Sequence, residues 1–149
     1  MTKLPGARIV VSTVIPADAQ RIWADVRNIS SHVEWMADAV AITFTSQTHE
    51  GPGTTFDCAT KIGPLKLVDQ MVVTEWKDDE IMGIRHVGLV TGTGRFTLDP
   101  VGNGSTRFTW DERLVFPWWM GGPIGALVGG RILRVIWKRN LRNLRSRFA

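Results

Sequence analysis

Between residues 39 and 116 the apolar side chains recur with a period of two, and each interruption is a turn signal. Val40, Ile42 and Phe44 alternate with Ala41, Thr43 and Thr45, and Gly51-Pro52-Gly53 then reverses the chain into a strand over 54–62. Gly63-Pro64 leads to a long strand over 65–76, and Lys77-Asp78-Asp79 to another over 80–87. A strand over 92–99, a hairpin loop at Pro100-Val101-Gly102-Asn103-Gly104 and a last strand over 105–116 complete the run. Six consecutive strands joined by turn-length connections leave no room for crossovers, so the sheet is expected to be an antiparallel meander.

The flanks read differently. Residues 8–15 (RIVVSTVI) are rich in β-branched side chains and predict a first strand, stopped by Pro16. Pro16-Ala17-Asp18-Ala19 opens a helix, with Asp18 near its positive end and Ile22, Trp23 and Val26 as its apolar stripe. Asn28 closes that helix. Ser30 and Ser31 cap a second short one, Glu34 completing a capping box with Ser31, and Val33 and Trp35 pack it down. After Pro117 and the Gly121-Gly122-Pro123 loop, no proline recurs, which predicts a helix of about 26 residues. Gly125, Gly129 and Gly130 each cost that helix about 1 kcal/mol relative to alanine, implying close backbone approach or a bend.

At 149 residues the chain is expected to form one domain, over 1–149, and to bury a full core unaided. A hydrophobic content of 44% with 21% charged residues is that of an ordinary globular protein. The single cysteine, Cys58, excludes an internal disulfide framework. No apolar run reaches the roughly 18 residues of a membrane span, and Met1–Gly6 carry no signal-peptide pattern, so an intracellular, cytoplasmic protein is expected. Charge is unevenly placed: residues 1–112 hold 10 Lys+Arg against 14 Asp+Glu, whereas residues 113–149 hold 8 Lys+Arg and no acid.

Ile15-Pro16-Ala17 before Ile22-Trp23, Glu34-Trp35-Met36, Gly51-Pro52-Gly53-Thr54 before a strand, Val73-Thr74-Glu75-Trp76, and the 104–110 stretch GSTRFTW follow one another in a distinctive order. In that order the chain resembles, over almost its whole length, the START-like (SRPBCC) helix-grip superfamily, and within it the polyketide cyclase/dehydrase and lipid-transport group. The resemblance implies an α+β fold: βαα, then six antiparallel strands curled around a long C-terminal helix, with a cavity between. It implies binding or carriage of a lipid-like or polyketide-like molecule there. A cyclase/dehydrase-type enzyme using the same cavity is the alternative, and an interaction module built on the C-terminal helix is a third. One fold hosts many functions, so the chemistry must be argued from residues.

Standard catalytic motifs are absent. Gly92-Thr93-Gly94 opens a Gly-x-Gly, but a strand follows it, not the helix a nucleotide loop needs. His32, His49 and His86 show no metal-ligand spacing, so neither metal nor cofactor is expected. Tryptophan is the informative residue, with seven Trp and no Tyr. Trp23 and Trp76 read as core. Alternation places Phe108, Trp110, Glu112 and Leu114 on one inward face, with Phe96 and Leu98, then Phe56, Cys58, Thr60 and Ile62, and Met82, Ile84 and His86, on neighbouring strands. The resemblance adds Trp35 near the cavity mouth and Trp137 on the long helix. Apolar walls with a few polar groups are the usual form of a small-molecule site. The ligand-binding set expected is therefore Trp35, Phe56, Cys58, Ile84, His86, Phe96, Phe108, Trp110, Glu112 and Trp137. Glu112 and His86 are the candidates for acid–base work, since an inward carboxylate must be paired, hydrogen-bonded or protonated. Against this stands a Glu112 at the open end of the sheet paired with Arg95 or Arg113. Arg85 and Arg113 are also candidates to anchor an acidic headgroup.

On a helical wheel Leu133, Trp137, Leu141, Leu144 and Phe148 share one face, and Arg131, Arg134, Lys138, Arg142 and Arg145 lie beside it. That basic face is either solvated or a contact for an anionic membrane, with Trp118-Trp119-Met120 as a membrane-touching or lid loop. Ile132 and Val135 lie off the main apolar face and offer a homodimer contact. Nucleic acid is not an expected partner, because the body is acidic and the basic stripe lacks exposed stacking aromatics.

Overall fold

The computed structural model describes residues 6–148; the reading of the extreme N-terminus and the helical expectation at Ala149 lie outside the described residues. The chain runs β1 (Ala7–Ile15), α1 (Ala19–Val26), a 3-10 turn (Ile29–Glu34), β2 (Ala39–Phe44), β3 (Thr55–Ile62), β4 (Leu65–Lys77), β5 (Ile81–Val87), β6 (Thr91–Gly102), β7 (Ser105–Val115), a second 3-10 turn (Trp118–Met120) and α2 (Gly122–Ser146). The seven strands form one sheet in the order β1-β7-β6-β5-β4-β3-β2, every pair antiparallel. The helix-grip architecture is therefore present: the meander folds strand by strand, and β1 closes it by pairing with β7.

Local chemistry explains most boundaries. Asp18 caps α1, its carboxylate accepting from the Arg21 N–H at 2.8 Å. Ile22, Trp23 and Val26 are buried, as the stripe predicts. The expected capping box does not form. Asn28, not a serine, precedes the 3-10 turn, and no side chain caps it. The Ser31 hydroxyl instead donates back to the Asn28 carbonyl at 2.7 Å, and Glu34 is drawn to Arg147 at 2.9 Å. In β2 a bulge between Ala39 and Ala41 turns Val40 outward while Ile42 and Phe44 stay half-buried. Residues 100–102 belong to β6 rather than to a loop. A bulge accommodates them, and the reversal tightens onto Asn103-Gly104, both at positive φ (55° and 71°).

The core lies between the concave face of the sheet and the two helices. Ile9, Val11, Ile15, Leu98, Phe108 and Leu114 rise from the sheet to meet Leu133, Trp137, Leu141 and Leu144 of α2. The C-terminal half of α2 is also clamped by polar contacts. Asn140, fully buried, accepts from the Ala37 N–H at 2.9 Å and donates to Asp38 at 2.7 Å, and Asp38 also accepts from Trp137 Nε1 at 3.2 Å. Arg147 forks onto Asp25 at 2.7 and 2.8 Å. The N-terminal half is held less closely. Gly125 is required there because a Cβ would stand 2.0 Å from the Met120 carbonyl oxygen, so its place in the first turn admits no side chain.

Candidate functional site

Where α2 stands off the sheet, a cavity of about 240 Å³ opens between them. Phe56, Cys58, Ile84, His86, Phe96, Trp110, Glu112 and Trp137 border it, together with Thr60, Ile62 and Met82. Trp35 and Phe108 do not. Both are fully buried behind the wall, Trp35 meeting Phe96 and Trp110 at ring-centroid distances of 5.9 and 6.1 Å. Trp35 follows the 3-10 turn into the core instead of reaching the mouth. Phe108 pairs with Leu98, one step along the sheet from the bordering Phe96–Trp110 pair. Met120, Gly125, Gly129 and Ile132 line the α2 side.

The walls are largely apolar, and one cluster of titratable groups stands out among their polar side chains. His86 on β5 lies between two carboxylates: Asp69 on β4, at 2.8 and 3.0 Å from Nδ1, and Glu112 on β7, whose Oε2 is 3.3 Å from Nε2. Trp110 Nε1 donates to the other Glu112 oxygen at 3.0 Å. His86 and Glu112 are 5% and 7% exposed. Their 3.3 Å approach is an ion contact without hydrogen-bond alignment, so His86 Nε2 and Glu112 Oε2 are buried without a hydrogen-bond partner.

The sheet register builds this cluster. His86 pairs with Met71, which places Asp69 on the diagonal, two residues along β4 and on the same face. Glu112 and His86 are on strands separated by β6. Glu112 pairs with Gly94 and His86 with Gly92, so the intervening strand offers no side chain, and Glu112 lies across it. A Cβ on Gly94 would stand 2.7 Å from Glu112 Oε1. Gly94 of the Gly-x-Gly thus leaves the space through which Glu112 reaches His86. Glu112 has no arginine partner: Arg95 is engaged by Glu75 at 2.6 Å, and Arg85 and Arg113 are exposed on the opposite face, where neither reaches the cavity.

Burial alone would disfavour the His86 cation, but the hydrogen bond with Asp69 and the Glu112 carboxylate outweigh it and push its pKa up to about 10. His86 therefore carries both N–H donors at neutral pH. His32, which also borders the cavity, behaves oppositely. Burial lowers its pKa to about 4, so it is neutral, and its Nε2–H donates to the Val26 carbonyl at 2.8 Å. Burial pushes the Cys58 thiol up to about 11, leaving it a small apolar wall group, not a nucleophile. Among the described residues no group of His, Cys, Asp and Glu is placed to hold a metal ion.

The sequence reading missed Asp69 and Asp38. The available signal was alternation along β4, where Leu67, Asp69, Met71 and Val73 share a face.

On the outer side of α2, Arg131, Arg134, Lys138, Arg142 and Arg145 are all exposed, and none meets a carboxylate among the described residues. Trp118 and Ile124 are 73% and 75% exposed, and Trp119, Leu127, Val128 and Val135 are exposed with them. No helix among the described residues is long and apolar enough to cross a membrane.

A curled antiparallel sheet gripping a C-terminal helix, with a cavity under that helix, is a START-like fold. The chain belongs to the polyketide cyclase/dehydrase and lipid transport family, which it matches over residues 6–149. Solved structures agree in fold. A protein from Thermus thermophilus superposes with a TM-score of 0.79 at 15% identity, covering 95% of this chain and 96% of that one. A START superfamily protein from Mycobacterium smegmatis gives 0.78 at 13% identity, with 95% and 97% covered. An aromatase/cyclase from Streptomyces sp. R1128 gives 0.74 at 11% identity, with 96% and 93% covered. No curated protein matches the chain.

Proposed function

We propose that the protein binds and carries a hydrophobic small molecule in the cavity between the sheet and α2. The observation that carries this reading is the cavity itself: about 240 Å³, walled mostly by apolar side chains from β2 through β7 and from α2, with a few polar groups among them. A close-packed core of this size leaves few voids larger than a water molecule. Native mass spectrometry of freshly purified protein tests it, followed by titration with naphthalene read by Trp110 and Trp137 fluorescence. Saturable binding is expected. No co-purifying ligand and no saturable quenching overturns the reading.

Cyclase-type chemistry in the same cavity is the second reading, favoured by one observation: Glu112, an acceptor, stands beside His86, a donor. In it Glu112 removes a proton next to a ligand carbonyl while the His86 N–H holds the carbonyl oxygen. Loss of turnover of a poly-β-ketone test substrate in Glu112→Gln, with binding retained, is its signature.

The exposed apolar start of α2 and its basic outer face, free of carboxylate partners among the described residues, further support contact with an anionic membrane during loading. Flotation with phosphatidylglycerol vesicles is expected at low salt and to weaken as salt rises, since exposed charges are screened over about 8–10 Å at physiological ionic strength. Salt-independent flotation, or a homodimer that buries Ile132 and Val135, counts against it.

A further inference from the structure

The cavity accounts for an apolar ligand body, but not for the two unpartnered polar atoms in its wall. His86 Nε2 and Glu112 Oε2 are adjacent, buried and border the same space. A buried donor or acceptor without a partner is destabilising, more so when charged, so two side by side describe the group that would satisfy both. That group must accept one hydrogen bond and donate another from a single small centre. We propose that His86 and Glu112 form a two-point site for the hydroxyl of a neutral apolar alcohol or phenol, whose oxygen accepts from His86 Nε2–H and whose hydrogen is donated to Glu112 Oε2. This rests on the reading of the cavity as a ligand site and names the class of ligand it takes.

The surroundings fix the polarity of both partners. Asp69 holds His86 Nδ1 as a donor, so Nε2 is the nitrogen left for the ligand. With His86 protonated, Nε2 carries a hydrogen through neutral pH. Trp110 occupies Glu112 Oε1 as a donor, which leaves Oε2 as the free acceptor. A ketone or an ether satisfies His86 but strands the Glu112 oxygen. A hydrocarbon strands both. A carboxylate is disfavoured by charge: Asp69, Glu112 and Asp38 all border the cavity, His32 there is neutral, and Arg95 is tied to Glu75. Free fatty acids therefore fall outside the class, although the walls suit their chains.

The test uses the intact protein and four bicyclic probes of one shape: naphthalene, 2-naphthol, 2-methoxynaphthalene and 2-naphthoic acid. Naphthalene reports whether the cavity takes an apolar guest. With a polar pair built for a hydroxyl, 2-naphthol is expected to bind at least about tenfold more tightly than 2-methoxynaphthalene, and 2-naphthoic acid more weakly than 2-naphthol. Glu112→Gln, which keeps the shape but removes the charge, is expected to bring 2-naphthol and its ether close to parity while naphthalene binding persists. Equal binding of alcohol and ether to the wild type, tighter binding of the acid, or an undiminished preference in Glu112→Gln overturns the hydroxyl site and leaves the cavity reading standing. If naphthalene and all its derivatives fail to bind, the cavity reading falls and the hydroxyl site falls with it. Should Glu112→Gln not fold, the wild-type probe series alone decides.

Discussion

Replacing Gly94 with alanine isolates the reach of Glu112 across β6. The backbone permits it, since Gly94 is not in the left-handed region. The side chain does not: the new Cβ would stand 2.7 Å from Glu112 Oε1, 2.8 Å from Cγ and 2.9 Å from Cδ. Three contacts along one side chain cannot be relieved by tipping its end, so the whole carboxyethyl group must swing away. The 3.0 Å bond from Trp110 Nε1 and the 3.3 Å contact with His86 are then lost. A hydrogen bond to a charged group is worth about 1.5–3 kcal/mol. Alanine in place of glycine within a strand returns about 0.5–1 kcal/mol. A net loss of about 1–2 kcal/mol is expected in urea denaturation. The His86 pKa is expected to fall from about 10, because one of the two carboxylates that raise it has moved. An NMR titration of the His86 ring measures this directly. An unchanged His86 titration together with unchanged or increased stability would refute the reasoning.

His32 is neutral in the fold because its pKa is lowered to about 4, against 6.5 when unfolded. Its contribution is complete above pH 6.5 and is lost as pH falls toward 4, about 3 kcal/mol in all. Urea midpoints at pH 7 and pH 4.5 should therefore diverge more for the wild type than for His32→Gln, and parallel profiles contradict the assignment. His86 works in the other direction: its pKa is raised, so the stability it contributes is complete below pH 6.5 and lost as pH rises through about 10. Asp69→Asn should flatten the alkaline limb of the denaturation profile. Asn140→Leu leaves Asp38 and the Ala37 N–H short of partners and should cost about 2–3 kcal/mol, measured by the same denaturation. Trp118→Ser with Trp119→Ser should reduce vesicle flotation without lowering the urea midpoint, because both side chains are exposed.

The meander was legible because its signals are local. Alternation and turn residues place each strand next to its successor, although the loop expected over 100–104 tightens in the sheet to a reversal at Asn103-Gly104. The long helix was equally legible: Leu133, Trp137, Leu141 and Leu144 are buried on the face the wheel assigns them. Misreadings arose where a tertiary partner overrode a local motif. Glu34 fits a capping box by spacing, yet Arg147, far along the chain, claims it. The tryptophans assigned to the wall part company in the structure: Trp110 and Trp137 border the cavity, whereas Trp35 lies behind it. Trp110 borders the cavity and is nevertheless 4% exposed, stacked on Trp137 at 4.3 Å and bonded to Glu112. Trp110→Ala should accordingly destabilise the fold about as much as Trp23→Ala, by about 3–5 kcal/mol. A residue is part of the wall and part of the core at once when its ring has two faces in use.

The acid–base cluster was only half legible, for a geometric reason. Alternation can say that His86 and Glu112 point inward, but it cannot say that they meet, because they lie on strands that are not neighbours. Their contact depends on an absence in the strand between them, at Gly94, where a Cβ would meet Glu112. In the sequence that glycine is one half of a Gly-x-Gly; in the sheet it is a gap across which one side chain reaches. Asp69 was hidden in another way. A single acidic residue in a strand usually faces water, and only the register shows that this one is diagonal to His86. Once the three are together, each fixes the next: Asp69 orients the imidazole, the imidazole cation faces Glu112 within an apolar wall, and Trp110 occupies the oxygen that faces away. The free valences that remain, one N–H and one carboxylate oxygen, are a property of the assembled sheet and of no segment within it.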